Sequence, residues 1–420
     1  MDSGFKITYK NNYKLLEDTL NNAKYGLYCG DEQPKEDGID NWFKLPISNA
    51  GVQDVDILAF IELLDSSKQV KAVANPNAVT SPCLSSLSLE TLSNETKKSL
   101  DAIFMTRDAP STDKNVTVKI PIGDSLNPLQ AKEKATKVFE SIKSEYQCHQ
   151  KNLATVTDKP KLAWVKVESS SNSDSANSWN VLGSNYYKSI IGDAGFEAVE
   201  ESNYSSTKDF QNGVKDVGYI IDSTTLKNLT QISDWLDIFG YESQANSDVQ
   251  FLKTSNVWKS DGLVNQHGFS DFNENSLARP DKVIQDIIGM NYKTYNASYS
   301  PYWMMRISRD RDPRTVNTSD KSCPNPVLSQ IGGCTAKKWN GKSFGFEEID
   351  EPNDDHSSRG GIIAGAVIGG VVGLVLIFVG LHYYNKMRRK RFLNETHALS
   401  PLDPYKNSYE MQPQVQSPNY

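Results

Sequence analysis

The groups able to do chemistry in this sequence are few, and their spacing narrows what they can do. There are five cysteines and five histidines among 420 residues. Cys29, followed by Gly30-Asp31-Glu32, stands where a strand ends, a place that suits a nucleophile. Acidic neighbours raise a thiol's pKa, so structural pairing is the expectation for Cys29. Cys323 and Cys334 lie close in sequence and are expected to form a local disulfide. Cys83 and Cys148 offer a second pair, although sequence alone leaves the connectivity open. His149 and His267 are the only histidines in the region that reads as folded; His356, His382 and His397 come later. A zinc or manganese centre needs several histidines and carboxylates converging, so no metal and no resident cofactor are expected. No G-x-S-x-G, H-E-x-x-H or P-loop occurs, no catalytic residue is assigned, and the chain reads as a non-enzyme. The net charge of −7 argues against a nucleic-acid partner.

Other residues suit ligand recognition. Arg107 can pair with an anion and Trp258 can stack on a flat or cationic group; the bland alternative for Arg107 and Asp108 is a salt bridge at a loop lip. These residues matter only if the elements around them bring them together. Lys24–Cys29, Trp42–Ile47, Val70–Ala74, Ala102–Thr106 and Val116–Ile122 read as strands. Val55–Leu64 and Glu90–Leu100 read as helices. Asn127 and Pro128 begin a long amphipathic helix running to about residue 150, with Ala131, Ala135, Val138, Phe139, Ile142 and Tyr146 on one stripe. A second alternating unit follows. It has strands at Lys161–Val167, Val217–Ile221 and Val249–Leu252. Its helices are Val181–Ala194, closed by Gly195, Leu226–Phe239 and Pro280–Met290. The fold class is therefore α/β, in two lobes joined by a long helix. The expected units are a first lobe over 1–126, the helix and connection over 127–158, and a second lobe over 159–340.

The order of these segments resembles the class III periplasmic binding proteins, in particular the ferric-siderophore and cobalamin-binding group. The residues that carry the resemblance are LPISNAGVQDVDILAFIELLDSSKQVKAVAN over Leu45–Asn75, then Leu89-Glu90-Thr91-Leu92 before Asp101-Ala102-Ile103-Phe104. Lys159-Pro160-Lys161-Leu162 follows the connecting helix, and Arg279-Pro280-Asp281-Lys282-Val283-Ile284-Gln285-Asp286-Ile287 opens the closing one. Coverage runs from about residue 40 to 292. The region before 40, the cysteines and everything after 292 depart from the bacterial pattern, so import through a partner transporter is not carried over. The resemblance implies a cleft between the lobes that closes on a small ligand, a metal chelate being one candidate because the chelator supplies the metal's ligands. Ligands of open α/β sheets bind beyond the carboxyl ends of the strands. That rule places Ser48, Asn49, Asn75, Arg107 and Asp108 on the first lobe, and Glu168, Asp222, Trp258, Lys259, Ser260 and Asp261 on the second. The rival expectation is a surface sensor or adhesion protein that kept the fold and lost the ligand, with its cleft filled by its own side chains. An enzyme on the same architecture, such as a chelatase-like catalyst, is disfavoured.

The C-terminal part sets the topology. Gly361–Leu381 is uncharged and long enough to cross a bilayer, with His382, Tyr383 and Tyr384 at headgroup level and Lys386–Arg391 after them. Acidic residues lie on the other side, so the lobes are expected outside or in a lumen and the tail in the cytoplasm. The boundaries are an acidic linker over 341–359, the transmembrane helix over 360–384 and a disordered tail over 385–420. Gly361, Gly365, Gly369 and Gly373 recur every four residues, a face suited to homodimer packing. Sequons at Asn94, Asn115, Asn203, Asn228, Asn296 and Asn317 agree with an outside placement, and glycosylated single-span topology points to a eukaryote; with the resemblance it implies a membrane-anchored form of that family, as in fungi. The chain opens Met-Asp-Ser-Gly-Phe-Lys without an apolar leader, so a signal peptide encoded upstream is expected.

Overall fold

A computed structural model describes residues 5–19, 22–106, 117–120, 133–168, 177–225, 231–244, 247–307, 312–316, 332–342 and 346–348. The chain begins with a four-stranded sheet, β1 (Phe5–Tyr9), β2 (Tyr13–Asp18), β3 (Ala23–Tyr28) and β4 (Asn41–Lys44). β1, β2 and β3 pair antiparallel and β4 joins β3 in parallel. Gly26 is required there, because a Cβ would sit 2.2 Å from the Trp42 ring. Leu16, Tyr25, Leu27 and Phe43 enter the same core as the sheet that follows, so this N-terminal sheet is a layer of the first lobe.

The first lobe's main sheet is parallel throughout. Its strands are β5 (Ala50–Val52), β6 (Val70–Val73), β7 (Glu90–Thr91), β8 (Ala102–Thr106) and β9 (Thr117–Ile120), in the order β7-β6-β5-β8-β9. Helix α1 (Leu58–Leu63) continues a 3-10 turn over Val55–Ile57 and buries Leu58, Ala59, Phe60 and Ile61. The short α2 is Pro82–Ser85, capped by the Ser81 hydroxyl. Two expectations fail in this lobe. Trp42–Ile47 does not run on as a strand but ends at Lys44 before a cis Leu45–Pro46 bond. Glu90–Leu100 is no helix; it is the short β7 and a 3-10 turn over Thr96–Ser99. There the Thr96 hydroxyl donates to the Thr91 carbonyl while Ser93 N–H donates back to it, the local hydroxyl bonding that competes with helix.

Helix α3 (Glu133–Leu153) joins the lobes and spans about 31 Å. Its apolar stripe serves both. Phe139 and Ile142 lie in the first lobe's core, and Tyr146 and Leu153 in the second's. Its expected start at Asn127–Pro128 lies outside the described residues.

The second lobe opens with β10 (Lys161–Glu168), followed by β11 (Ser178–Val181), α4 (Asn185–Asp193), β12 (Glu197–Ala198), β13 (Ser202–Tyr204), α5 (Thr207–Gly213), β14 (Tyr219–Asp222), α6 (Ile232–Phe239) and α7 (Gln250–Lys253). Then come β15 (Val257–Lys259), β16 (Leu263–Val264), α8 (Asp271–Asn275), α9 (Pro280–Asn291), β17 (Met305–Arg306) and β18 (Arg314–Thr315). β10, β14 and β15 form a parallel centre, with β12 also parallel to β10; β11, β13 and β17 add antiparallel flanks. Gly195, at φ +84°, ends α4 as expected. Val249–Leu252 is not a strand, for residues 250–253 are helical and the strand is Val257–Lys259.

A hairpin of β19 (Lys337–Trp339) and β20 (Phe346–Glu348) returns to α3. Cys334 N–H donates to Glu145 at 3.2 Å, Asn152 donates to the Thr335 carbonyl at 2.8 Å, and Lys337 N–H donates to Asn152 at 2.9 Å. That seating puts Cys334 beside Cys148, and the two are disulfide-bonded across 186 residues. The local Cys323–Cys334 pair is thereby excluded, as is Cys83–Cys148. Cys83 is disulfide-bonded as well, and Cys29 is a partly exposed free thiol rather than a paired one. Among the described residues no helix is long and apolar enough to cross a membrane. The stretch Gly361–Leu381 with Gly361, Gly365, Gly369 and Gly373, the tail, Cys323, and Arg107 and Asp108 all lie outside the described residues.

Candidate functional site

The loops at the carboxyl ends of the two parallel sheets approach each other, and they do so through a buried polar seam. From the first lobe come Thr80 and Ser81, after β6. From the second come Asn265 and the short α8. Asn265 donates to the carbonyls of Asn77 at 2.8 Å and Val79 at 3.0 Å. The Glu274 carboxyl accepts from Thr80 N–H at 2.5 Å, the Thr80 hydroxyl at 2.9 Å and Ser81 N–H at 3.2 Å. Asp271 accepts from the Thr80 hydroxyl, Asn275 and the Trp303 indole, each at 2.8 Å. The Ser81 hydroxyl donates to Glu62. Glu274 is 0% exposed. Burial pushes its pKa up to about 8, with Asp271 and Glu62 adding repulsion and Thr80 opposing. Burial thus favours the neutral carboxyl near pH 7, against the donors of Thr80, which favour the carboxylate.

Beside the seam, the ends of β14 and β15 hold a second cluster. Asp222 and Lys259 are cross-strand partners, both essentially buried. Lys259 Nζ lies 3.1 Å from Asp261 Oδ2 and donates to the Thr224 carbonyl at 3.2 Å. Asp222 Oδ1 accepts from Thr224 N–H and hydroxyl. Burial raises Asp222 to about 6, opposed by Lys259. Asp222 Oδ2 and Asp261 Oδ1 are buried and have no hydrogen-bond partner. Two acceptors at the carboxyl ends therefore lack donors. A ligand hydroxyl or amine would supply them. Among the described residues no three His, Cys, Asp or Glu are grouped to hold a metal ion.

The expected site residues are only partly brought together. Ser48 and Asn49 precede β5 and so stand at its amino end, where their N–H groups donate to Asp101. They are expected in the loop after a strand over Trp42–Ile47, whereas that strand stops at Lys44 and a three-residue strand follows them instead. Asn75 does follow β6, but its side chain accepts from Asn77 N–H within its own turn. Trp258 is inside β15, 7% exposed, with the Arg306 guanidinium 4.7 Å from its ring, and so offers no open stacking face at the cleft. Of the expected residues, Asp222, Lys259 and Asp261 come together in the cluster. Glu274, Asp271, Thr80 and Asn265 went unassigned, although D-F-N-E-N at 271–275 puts polar residues at i, i+3 and i+4, a warning that this helix face is buried in polar company. Of the sequon asparagines, Asn94 and Asn203 are exposed and Asn296 is half-buried; Asn115, Asn228 and Asn317 lie outside the described residues.

No protein-family model and no curated protein matches the sequence. Among solved structures, the chain is similar to a periplasmic heme-binding protein from Pseudomonas aeruginosa at 10% identity and TM-score 0.42, over 64% of this chain and 100% of that one. It is similar to the periplasmic heme-binding protein HutB of Vibrio cholerae at 16% identity and TM-score 0.39, over 57% and 98%. Helicobacter pylori CeuE with Ni(II) bound is similar at 11% identity and TM-score 0.42, over 62% and 88%.

Proposed function

We propose that this chain is a non-enzymatic, solute-binding-like protein that takes a small ligand at the carboxyl ends of its two parallel sheets. The observation that carries the reading is the pair of buried, donor-less carboxylate oxygens on Asp222 and Asp261. A hydroxyl- or amine-bearing ligand satisfies them, and a metal chelate presenting such groups belongs to that class. The membrane-anchored topology is part of the proposal, with Gly361–Leu381 as the span, the lobes outside or lumenal and the tail cytoplasmic. The sequons and the basic flank support it. So is homodimerisation through the glycine face.

The test is native mass spectrometry of the full chain in lipid nanodiscs. A co-purifying mass lost on mild denaturation, and lost in Asp222→Asn and Asp261→Asn variants that still fold, supports ligand binding. A clean apo mass, unshifted by siderophores, cobalamins and haem, rejects it. A second reading has its own observation. Asn265, Thr80 and Glu274 fill the lobe seam with protein side chains, as expected of a surface sensor or adhesion protein that kept the fold without a ligand. The clean apo mass is the outcome that favours it.

A further inference from the structure

The second lobe contains a cavity of about 520 Å3 that no first-lobe residue lines. It lies between the C-terminal half of α9, the segment that follows it, and the β15–β17 edge. Its volume is that of a small-molecule pocket. Its walls are aromatic. Tyr292, Tyr295 and Tyr299 line it, but their hydroxyls are engaged elsewhere: Tyr292 donates to the Gly195 carbonyl, Tyr295 meets His149 and Asn152, and Tyr299 donates to Asp286. What these residues have left to offer a guest is ring carbon. Tyr302 and Trp258 complete the aromatic lining, and the Trp258 indole Nε1 is buried without a hydrogen-bond partner, a donor for which an acceptor is wanting. Two lining residues are cations. Lys293 is exposed, and Arg314 is fixed by donating to the carbonyls of Pro301 and Tyr302. Among the described residues Asp312 is the single lining acid.

We infer that this cavity is a second binding site, separate from the lobe seam, for a small flat aromatic acid whose ring packs among the tyrosines and whose carboxylate meets Lys293 and Arg314. Ring stacking supplies the apolar part. A charge-assisted pair at the mouth orients the acid, and the surplus of cations over Asp312 sets the sign.

The test is calorimetric titration of the full chain in lipid nanodiscs with 2-naphthoate, with empty nanodiscs subtracted. A Cβ on Gly289 would meet Pro301 and Tyr299 at 3.8 Å, ordinary contact, so Gly289→Phe fills the cavity from α9, and Gly289→Leu serves should the larger ring unfold the lobe. Expected are one saturable site, its loss in the filled variant and at least a tenfold weakening in Lys293→Glu, both at near-unchanged melting temperature, and unchanged affinity in folded Asp222→Asn. Absence of saturable binding to the unaltered chain overturns the proposal. So does retained affinity in the folded filled variant or in Lys293→Glu. Loss in Asp222→Asn overturns it too, by moving the acid to the seam; failure of the seam reading alone leaves this site's binding intact.

Discussion

Replacing Glu274 tests the seam most directly. Its carboxyl answers three buried donors, and its folded pKa is raised from 4.5 to about 8 by burial. The unfolded chain releases that proton near 4.5, whereas the folded chain keeps it to about 8. The folded state therefore binds more protons across that window, and stability falls as pH rises through it. At 1.36 kcal/mol per pKa unit the full window is worth roughly 5 kcal/mol, an upper figure since relaxation and water entry soften buried charges. Glu274→Gln keeps an acceptor for both Thr80 donors and cannot ionise. It forfeits the Ser81 N–H bond, about 1 kcal/mol, and so should be slightly weaker at pH 5 and more stable than the parent at pH 8. Glu274→Ala strands two backbone donors, leaves the Thr80 hydroxyl to Asp271 alone and opens a void, roughly 3–5 kcal/mol at pH 5, a deficit that shrinks toward pH 8 because this variant cannot ionise either. Urea denaturation of the full chain at pH 5, 6.5 and 8 reads all three proteins. Equal pH slopes for the parent and the Gln variant would refute a neutral, buried Glu274.

Three further expectations follow from the geometry. Cys148→Ser frees the 186-residue loop, and chain-entropy arguments put the loss at about 3–5 kcal/mol; an unchanged denaturation midpoint would mean that the bond carries no stability. Gly26→Ala drives a methyl into the Trp42 ring and should cost about 1–3 kcal/mol, read as a lower melting temperature with the second lobe's near-ultraviolet signal intact. Lys259→Met removes the cation that opposes burial at Asp222, so the Asp222 carboxyl, already near 6, should rise further. Carboxyl titration by infrared difference spectroscopy measures it, and a downward shift would contradict the assignment.

Much of the plan could be read in the sequence because it rests on long buried runs. Leu162–Val165 and Ala102–Met105 are continuous apolar runs of the kind parallel sheets bury on both faces. The apolar stripe on the connecting helix was legible too, although its division, Phe139 and Ile142 to one core and Tyr146 to the other, was not. What failed was short or non-local. β5 is three residues, too few for alternation to register, and the loop residues assigned beside it fell at the wrong end of the strand. Four apolar or neutral residues at Val249–Leu252 fit helix and strand equally, and flanking context decided for helix. Thr80 and Glu274 are 194 residues apart, and no pattern in either segment announces the other. Cys334 found a partner on α3 because Glu145 and Asn152 seat its segment there, a matter of tertiary surface and not of sequence distance.

That bond has a mechanical consequence. Tension drawn on the chain beyond residue 348 meets β20 first, and a two-stranded hairpin of three paired rungs peels open one rung at a time. Extension then halts at Cys334, where a covalent link passes the pull to Cys148, in the C-terminal part of a 21-residue helix whose stripe enters two cores. Neither lobe unravels from its end. The load arrives sideways on the shaft between them, and a tug along the chain becomes a turning moment of one lobe against the other.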